Sequence, residues 1–354
     1  MLNRILDSIT PYSYEYLKKA IQRTSELIMP PRAVGMLNDI SEKLCAIQST
    51  LKPEVDKRAV FVFAGDHGVV EEGVSAFPAV VTCEMIRAFV NDIATITVLA
   101  RQNNAKVVVA DVGSRCDFKE KIIGKNEFII KKVKNGTENF TKQPAMSRQE
   151  AEKSIETGFE IALKYIESHN LNIVATGDMG IGNTTPSAAI ASVILDKDPS
   201  SIAGKGTGID EKRWQNKVNV IKRGIELNKP DKNDPIDVLS KVGGIEIGAI
   251  AGVILAAAYK KIPVVVDGFI STAAALIAYG LSKNTHYYMF AGHLSEENGH
   301  KLMLEYLNLK PILKLNMRLG EGTGATLAMH IIDAAAKVIS EVATFSQAGV
   351  SKGE

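Results

Sequence analysis

Cysteine is scarce in this chain. There are three in 354 residues, Cys45, Cys83 and Cys116, odd in number and far apart. They give no metal-ligand spacing and no disulfide framework, so the expectation is a reducing, cytoplasmic setting. Charge of one sign is also missing: 42 Lys and Arg stand against 40 Asp and Glu, a net charge of +2. That balance offers no electrostatic case for nucleic acid or for an anionic membrane. The longest apolar run, Ala249 to Tyr259, is too short to span a bilayer. The first ten residues hold Arg4 and Asp7 in a short amphipathic start and do not read as a signal peptide. No paired His/Cys spacing points to a metal, and there is no internal repeat or low-complexity segment. What remains is a globular composition, 45% hydrophobic and 23% charged, long enough for one large α/β domain or two ordinary ones.

The stretch Asn172 to Ala189, NIVATGDMGIGNTTPSAA, organises the rest. Ile173-Val174-Ala175 reads as a buried strand, the chain turns through Gly177, Gly180 and Gly182, and Asn183-Thr184-Thr185-Pro186 starts a helix. Free backbone N–H groups at such a turn make an anion site, and the plain alternative is a tight turn that binds nothing. The spacing is neither a P-loop nor the dinucleotide fingerprint. Further strands are expected at Ala59–Ala64, Lys106–Ala110, Val264–Val266 and Tyr287–Ala291. Each ends in a polar or glycine motif: Gly65-Asp66-His67-Gly68, Asp111-Val112-Gly113, Asp267-Gly268-Phe269 and Gly292-His293-Leu294-Ser295. Helices are expected from Ser147, capped with Glu150, from Thr82 to Gln102, from Asp210 to Asn228, and from Arg318-Leu319-Gly320-Glu321-Gly322 to Val342. Residues 114 to 146 are polar, hold two short β-like pieces, and read as an excursion from the sheet. Strand, motif and helix repeated five times predict a parallel α/β sheet, Rossmann-like, with helices on both faces and ligands at the carboxyl edge.

Several motifs then converge. They are AGDHGV at Ala64–Val69, GVSAFP at Gly73–Pro78, PAMSRQEAE at Pro144–Glu152, GDMGIGNTTPSAA at Gly177–Ala189 and NKV at Asn216–Val218. DVLSKVGG at Asp237–Gly244, VDGFISTAAAL at Val266–Leu276 and RLGEGTGA at Arg318–Ala325 complete the set. In content and order the chain resembles the nicotinate-nucleotide–dimethylbenzimidazole phosphoribosyltransferases of cobalamin lower-ligand synthesis. The resemblance implies transfer of the phosphoribosyl group of nicotinate mononucleotide to 5,6-dimethylbenzimidazole, giving α-ribazole 5′-phosphate and nicotinate. It implies a homodimer that uses no metal or other cofactor. It also implies a small helical domain from the two ends of the chain, residues 1–55 and 325–354, around an α/β domain at 56–324.

For the donor's phosphate and ribose the candidates are Asp178, Gly180, Gly182, Asn183, Thr184, Gly204, Gly206, Gly208, Lys217 and Ser295. For a flat aromatic acceptor they are Ser75, Phe77, Pro78 and Leu319. The resemblance assigns the general base to the Glu of RLGEG, Glu321. Read from the residues alone, Glu321 could instead favour a helix dipole, Lys217 could be a solvated surface lysine, and Phe77 could be plain core. His67 and His293 read as pocket structure rather than catalysts. The Ala-rich helices Ile245–Tyr259 and Ser271–Leu281 are either a dimer surface or internal packing. Two departures stand out: Asp178 where the family more often has Glu, and Pro31-Arg32-Ala33-Val34-Gly35 where it commonly shows Pro-Gly-Ser-Leu-Gly. Relatives accept purines and phenols as well as benzimidazoles, so the acceptor stays open. So do two other classes, a different sugar-phosphate transferase and a non-catalytic nucleotide sensor.

Overall fold

The computed structural model describes residues 2–118, 124–206 and 208–351. Seven parallel strands form one sheet in the order β3-β2-β1-β4-β5-β6-β7. They are β1 Arg58–Gly65, β2 Ala105–Gly113, β3 Glu127–Ile130, β4 Ile173–Met179, β5 Val264–Val266, β6 Met289–His293 and β7 Pro311–Leu313. All eight residues of β1, RAVFVFAG, are buried, as expected of a strand covered on both faces. The chain steps outward from β1 to β3, then returns to β4 beside β1, where Arg58 pairs Ile173 and Ala64 pairs Met179. That reversal puts a crevice at the carboxyl ends of β1 and β4, the usual binding place in an open parallel sheet.

The expected sheet has two strands fewer. β3 and β7 are short edge strands, and Pro311 begins β7, a position where the missing N–H costs little. Segment 114–146 is therefore not wholly an excursion: Glu127–Ile130 pairs with Val108–Asp111. The helix expected at Thr82–Gln102 is two helices, Val80–Val90 and Thr95–Gln102. Between them Asp92 takes φ +64° and its carboxylate pairs with Arg101. Thr82 is inside the first of these helices and does not cap it; its hydroxyl accepts from the Ile181 N–H at 3.2 Å. Ser147 and Glu150 form the expected capping box of Arg148–His169.

The Ala-rich helix Ile245–Lys260 is core: residues Ile245 to Ala258 are all buried. A Cβ on Gly158 would strike the Ala249 carbonyl, and one on Gly252 the Ile155 carbonyl, so the helices Arg148–His169 and Ile245–Lys260 touch backbone to backbone. Phe269–Leu281 is buried up to Ala278. A dimer surface on these two helices is thereby overturned, because one chain already covers them. The ends of the chain meet in helices Tyr14–Glu26, Met36–Gln48 and Thr323–Glu341, where Arg23 Nε donates to the Ile339 carbonyl at 2.6 Å. Leu27 bridges Thr344. In the variant Pro-Arg-Ala segment Arg32 takes φ +56°, and its guanidinium is paired with Glu42 at 2.7 Å. Among the described residues no helix is long and apolar enough to cross a membrane.

The cysteines correct the sequence reading. Cys83 and Cys116 are joined as a disulfide across 33 residues, and only Cys45 is free, buried so deeply that its thiol is pushed up to about 12. The pairing was not visible because the first cysteine is on a helix and the second follows β2. A bridge of this loop length constrains the unfolded chain. Without reductant, a Cys83→Ala/Cys116→Ala variant should melt below the parent, and added reductant should bring the two together. Identical melting of the parent with and without reductant would show that the bridge does not form in solution.

Candidate functional site

A cleft of about 510 Å³ opens at the carboxyl edge of the sheet. One wall is apolar: Phe77 enters from the loop before Val80–Val90, Val81 and Met85 from that helix, and Leu319 from the turn before Thr323–Glu341. Phe77 is 51% exposed, so it is pocket wall and not core. The opposite end is polar, lined by Thr184, Gly206, Ser295, Glu297 and Arg318. Apolar walls with few polar groups suit a planar heterocycle, and the polar end suits a charged group.

Glu321 lies at the cleft floor, 6% exposed. Its backbone has φ +63°, between Gly320 at +83° and Gly322 at +91°. Three successive left-handed residues reverse the chain before the helix starts, and the flanking pair must be glycine to do so. One carboxylate oxygen accepts from the Ile96 N–H at 3.3 Å. Burial raises the Glu321 carboxyl to about 7, Asp267 adding to the rise and the Ile96 N–H opposing it. In the competition between helix terminus and burial, burial wins. A carboxyl poised near neutrality is fitted to receive a proton.

Other carboxyls crowd the same edge. Asp178, at the end of β4, is raised well above its ordinary range by burial, with Asp267 and then Glu246 and Glu321 adding to the rise. The Asn183 amide donates to it at 2.9 Å. Asn183 spends its side chain there and gives the following helix no side-chain cap. His67 Nε2 is 2.8 Å from Glu246 Oε1, and His293, which lines the cleft, has its Nε2 3.8 Å from Asp267 Oδ1. Burial pushes His300 down to about 3, so the ring is neutral. Its Nδ1 accepts from the Ser295 N–H at 2.8 Å, and Nε2 is 2.8 Å from the Thr272 hydroxyl, which fixes Ser295 at the cleft wall.

At the polar end the N-terminus of Thr184–Leu195 meets the Gly204–Gly208 loop, whose Thr207 lies outside the described residues. A Cβ on Gly204 would meet the Glu297 carboxylate, which would have to move. Lys217 is completely buried, against the reading of a solvated lysine. Its ammonium donates to Thr184 Oγ1 at 2.8 Å and to the Gly204 carbonyl at 3.1 Å, so it stands behind the cleft wall. Burial lowers it to about 8, with Glu297 opposing.

Of the candidates read from sequence, the cleft wall brings together Glu321, Asp178, Gly180, Asn183, Thr184, Gly206, Ser295, Phe77 and Leu319. Ser75, Pro78, Gly182, Gly204 and Lys217 are not on that wall. Ser75 accepts from the Phe77 N–H at 3.2 Å and shapes the loop. Gly182 turns the chain at φ +86°. Gly208 lines an adjoining cavity of about 450 Å³ that shares Gly206, Glu297 and Arg318 with the cleft. Sequence reasoning missed Arg318, which donates to the Gly206 carbonyl at 3.1 Å, and also Asp267 and Glu297. Arg318 and Asp267 were inside quoted motifs and were passed over. Nothing local marked Glu297.

Comparison with known proteins agrees with this geometry. A phosphoribosyltransferase family profile matches residues 9–350. A nicotinate-nucleotide–dimethylbenzimidazole phosphoribosyltransferase of Desulforamulus reducens is 51% identical over 354 residues, covering 100% of this chain and 99% of that protein. The protein of the same name from Desulforudis audaxviator is 47% identical, with the same coverage. The crystal structure of CobT from Thermus thermophilus superposes with a TM-score of 0.91 at 41% identity, covering 96% of this chain and all of that one.

Replacing Lys217 by Met removes the charge while roughly keeping its volume; Ala would also open a cavity. A charge-assisted contact is typically worth ~1.5–3 kcal/mol. Lys217→Met should weaken binding of nicotinate mononucleotide, the donor the resemblance implies, by at least about 10-fold. Parent affinity should decline as the pH rises past about 8 and the ammonium deprotonates. Calorimetry giving an unchanged affinity for the variant would remove Lys217 from the phosphate site.

Proposed function

This chain belongs to the nicotinate-nucleotide–dimethylbenzimidazole phosphoribosyltransferase family, and from that premise we infer that Glu321 takes the proton from the incoming base. The enzyme moves the phosphoribosyl group of nicotinate mononucleotide to a lower-ligand base. One ring nitrogen of a benzimidazole attacks C1 of the ribose, and nicotinate departs with the electron pair of the broken C–N bond. The other nitrogen then carries a proton to be lost, and Glu321 receives it. The observation that carries this reading is the Glu321 carboxyl at the cleft floor, raised to about 7 by burial. Inversion at C1 requires the two heterocycles on opposite faces of the ribose. Phe77, Val81, Met85 and Leu319 offer the acceptor a flat apolar wall. The ribose phosphate lies at the polar end, against Thr184, Gly206 and Arg318, with Lys217 behind them. Asp178 and Ser295 are polar contacts for the ribose. Positioning and charge stabilisation supply the remainder of the rate.

We infer a homodimer as well. The Ala-rich helices cannot carry it, but Leu319 at the cleft is 52% exposed and Ile93, between the two helices beside it, is 74% exposed, apolar surface that a second copy would cover. The terminal segments 1–55 and 325–354 are read as a small domain. Its boundary falls within the continuous helix Thr323–Glu341, so motion of that domain would reach Glu321. We read the enzyme as cytoplasmic, since its nucleotide donor is a cytoplasmic metabolite class; there the Cys83–Cys116 pair would meet a reducing thiol pool.

Incubation with nicotinate mononucleotide and a panel of benzimidazoles, purines and phenols, with mass detection of the riboside phosphates, tests the reading and ranks the acceptors. A sensor would bind the nucleotide and form no product; a different transferase would refuse this donor. Glu321→Gln should lower turnover by ~10²–10⁴-fold with donor binding retained. Parent turnover should fall as the pH drops through about 7, because protonated Glu321 accepts nothing. Full activity in Glu321→Gln would end the base assignment. Light scattering at micromolar concentration should give twice the chain mass, and a single-chain mass would exclude the dimer.

A further inference from the structure

We propose that Asp267 is the positioning residue for the general base: its carboxylate, at the carboxyl end of β5, holds the left-handed turn 320–322 in the shape that aims Glu321 into the cleft. The inference rests on the reading of Glu321 as base and adds a residue that touches no substrate.

Asp267 is completely buried. Its Oδ2 accepts from the Gly322 N–H at 3.1 Å and its Oδ1 from the Ala325 N–H at 2.8 Å. One carboxylate thus caps the first turn of Thr323–Glu341 from another strand, in place of the local side-chain cap this helix lacks. The Asp267 N–H donates to Thr176 Oγ1 at 3.2 Å, so the clamp is anchored to β4. The turn it holds is disfavoured, since Glu321 carries a side chain at φ +63°. The turn is also tightly enclosed: a Cβ on Gly322 would lie 2.7 Å from Val60 Cγ2 and 3.0 Å from the Thr176 carbonyl, and one on Gly177 would lie 2.5 Å from the Glu321 carbonyl. With the turn pressed between β1 and β4, release of the two N–H bonds would rotate the Glu321 side chain.

The charge of Asp267 has a second consequence. The groups facing Glu321 are Asp267 from β5, Asp178 from β4, the Ile96 N–H, and Arg318 and Glu297 across the cleft. Behind them are Glu246 beside Asp178, and His293 and His300 beside Asp267. Burial raises Asp267 itself, while His293 and the N–H groups of Ala325, Gly322 and Gly268 pull the other way, and accepting N–H bonds favours the ionised form. An anion there raises the proton affinity of Glu321, so removing it moves the acid limb of the rate profile to lower pH.

The test is Asp267→Asn, made in the parent and in Glu321→Gln, with kcat, KM and the pH profile measured for each. In the parent background kcat should fall by about 10²-fold, the loss expected of a misplaced reacting group. The donor KM should hold, and the acid limb should shift from about 7 toward lower pH. In Glu321→Gln the second change should cost little more, because both act through one group. Full additivity of the two losses, or parent-like kcat and pH profile in Asp267→Asn, overturns the positioning role while leaving Glu321 as base. An active Glu321→Gln single variant instead overturns the base itself. Should Asp267→Asn fail to fold, Asp267→Ser, which keeps a cap acceptor without the charge, is measured in the same way, and the same outcomes decide.

Discussion

A carboxyl group taken out of water must find donors or keep its proton, and the carboxyl edge of this sheet is built around that constraint. Asp267, Asp178, Glu246 and Glu321 are each less than 9% exposed, and they meet the constraint differently. Asp267 has main-chain N–H groups from the start of a helix. Glu246 has His67. Asp178 takes the amide of Asn183, and burial raises its carboxyl. Glu321 has a single N–H bond, 3.3 Å long, which is too little to hold it firmly ionised and enough to keep it in place. Burial raises its carboxyl to about 7, and the proposal that it acts as the base starts from that imbalance of donors.

Such crowding requires backbones to approach closely, and this changes the meaning of the glycines. Gly180 reads from sequence as part of an anion loop. In the structure a Cβ there would overlap the Gly65 carbonyl and come within 3.1 Å of His67 Nε2, so the β1 and β4 turns need glycine for their own packing. Gly177 and Gly322 do the same between β4 and the Glu321 turn. At the polar end of the cleft the start of Thr184–Leu195 and the Gly206 loop are held by Arg318 and Lys217, which donate to the Gly206 carbonyl and to Thr184 and the Gly204 carbonyl. The glycine-rich motifs are thus partly a device for bringing four polar turns within one side chain's reach of each other.

The five central strands and the edge that binds were legible because each is a buried apolar run followed by polar turn residues, a local signal. The edge strands β3 and β7, four and three residues long, carry too few alternations to be told from loop. The break at Asp92 was hidden because Arg101, nine residues on, stabilises it. Among site residues, Glu321 and Phe77 were legible through motifs whose position in the turn matters. Asp267 and Arg318 were present in the same motifs, but their roles are tertiary: one reaches the turn after β7 from β5, the other reaches a loop more than a hundred residues away. The disulfide was unreadable for the same reason, since spacing does not say that a helix and the end of β2 will be neighbours. The burial of Lys217 was equally invisible, because its partners Thr184 and the Gly204 carbonyl come from two other segments.

The same physical accounting settles what the shorter acid at position 178 can do. Burial and three neighbouring carboxyls together raise Asp178 well above the ordinary carboxyl range. Glu at that point would meet the same burial and the same neighbours, so the substitution changes the reach of the carboxyl by one methylene while the groups that raise it stay the same. The contacts of Asp267 to the Glu321 turn are untouched by the change. The fit of whatever lies between Asp178 and Gly320 is not, since a Cβ on Gly320 would already lie 3.3 Å from the Asp178 carboxyl. Position 178 therefore bears on the space beside Gly320, while the Glu321 turn is held from the other side, by Asp267.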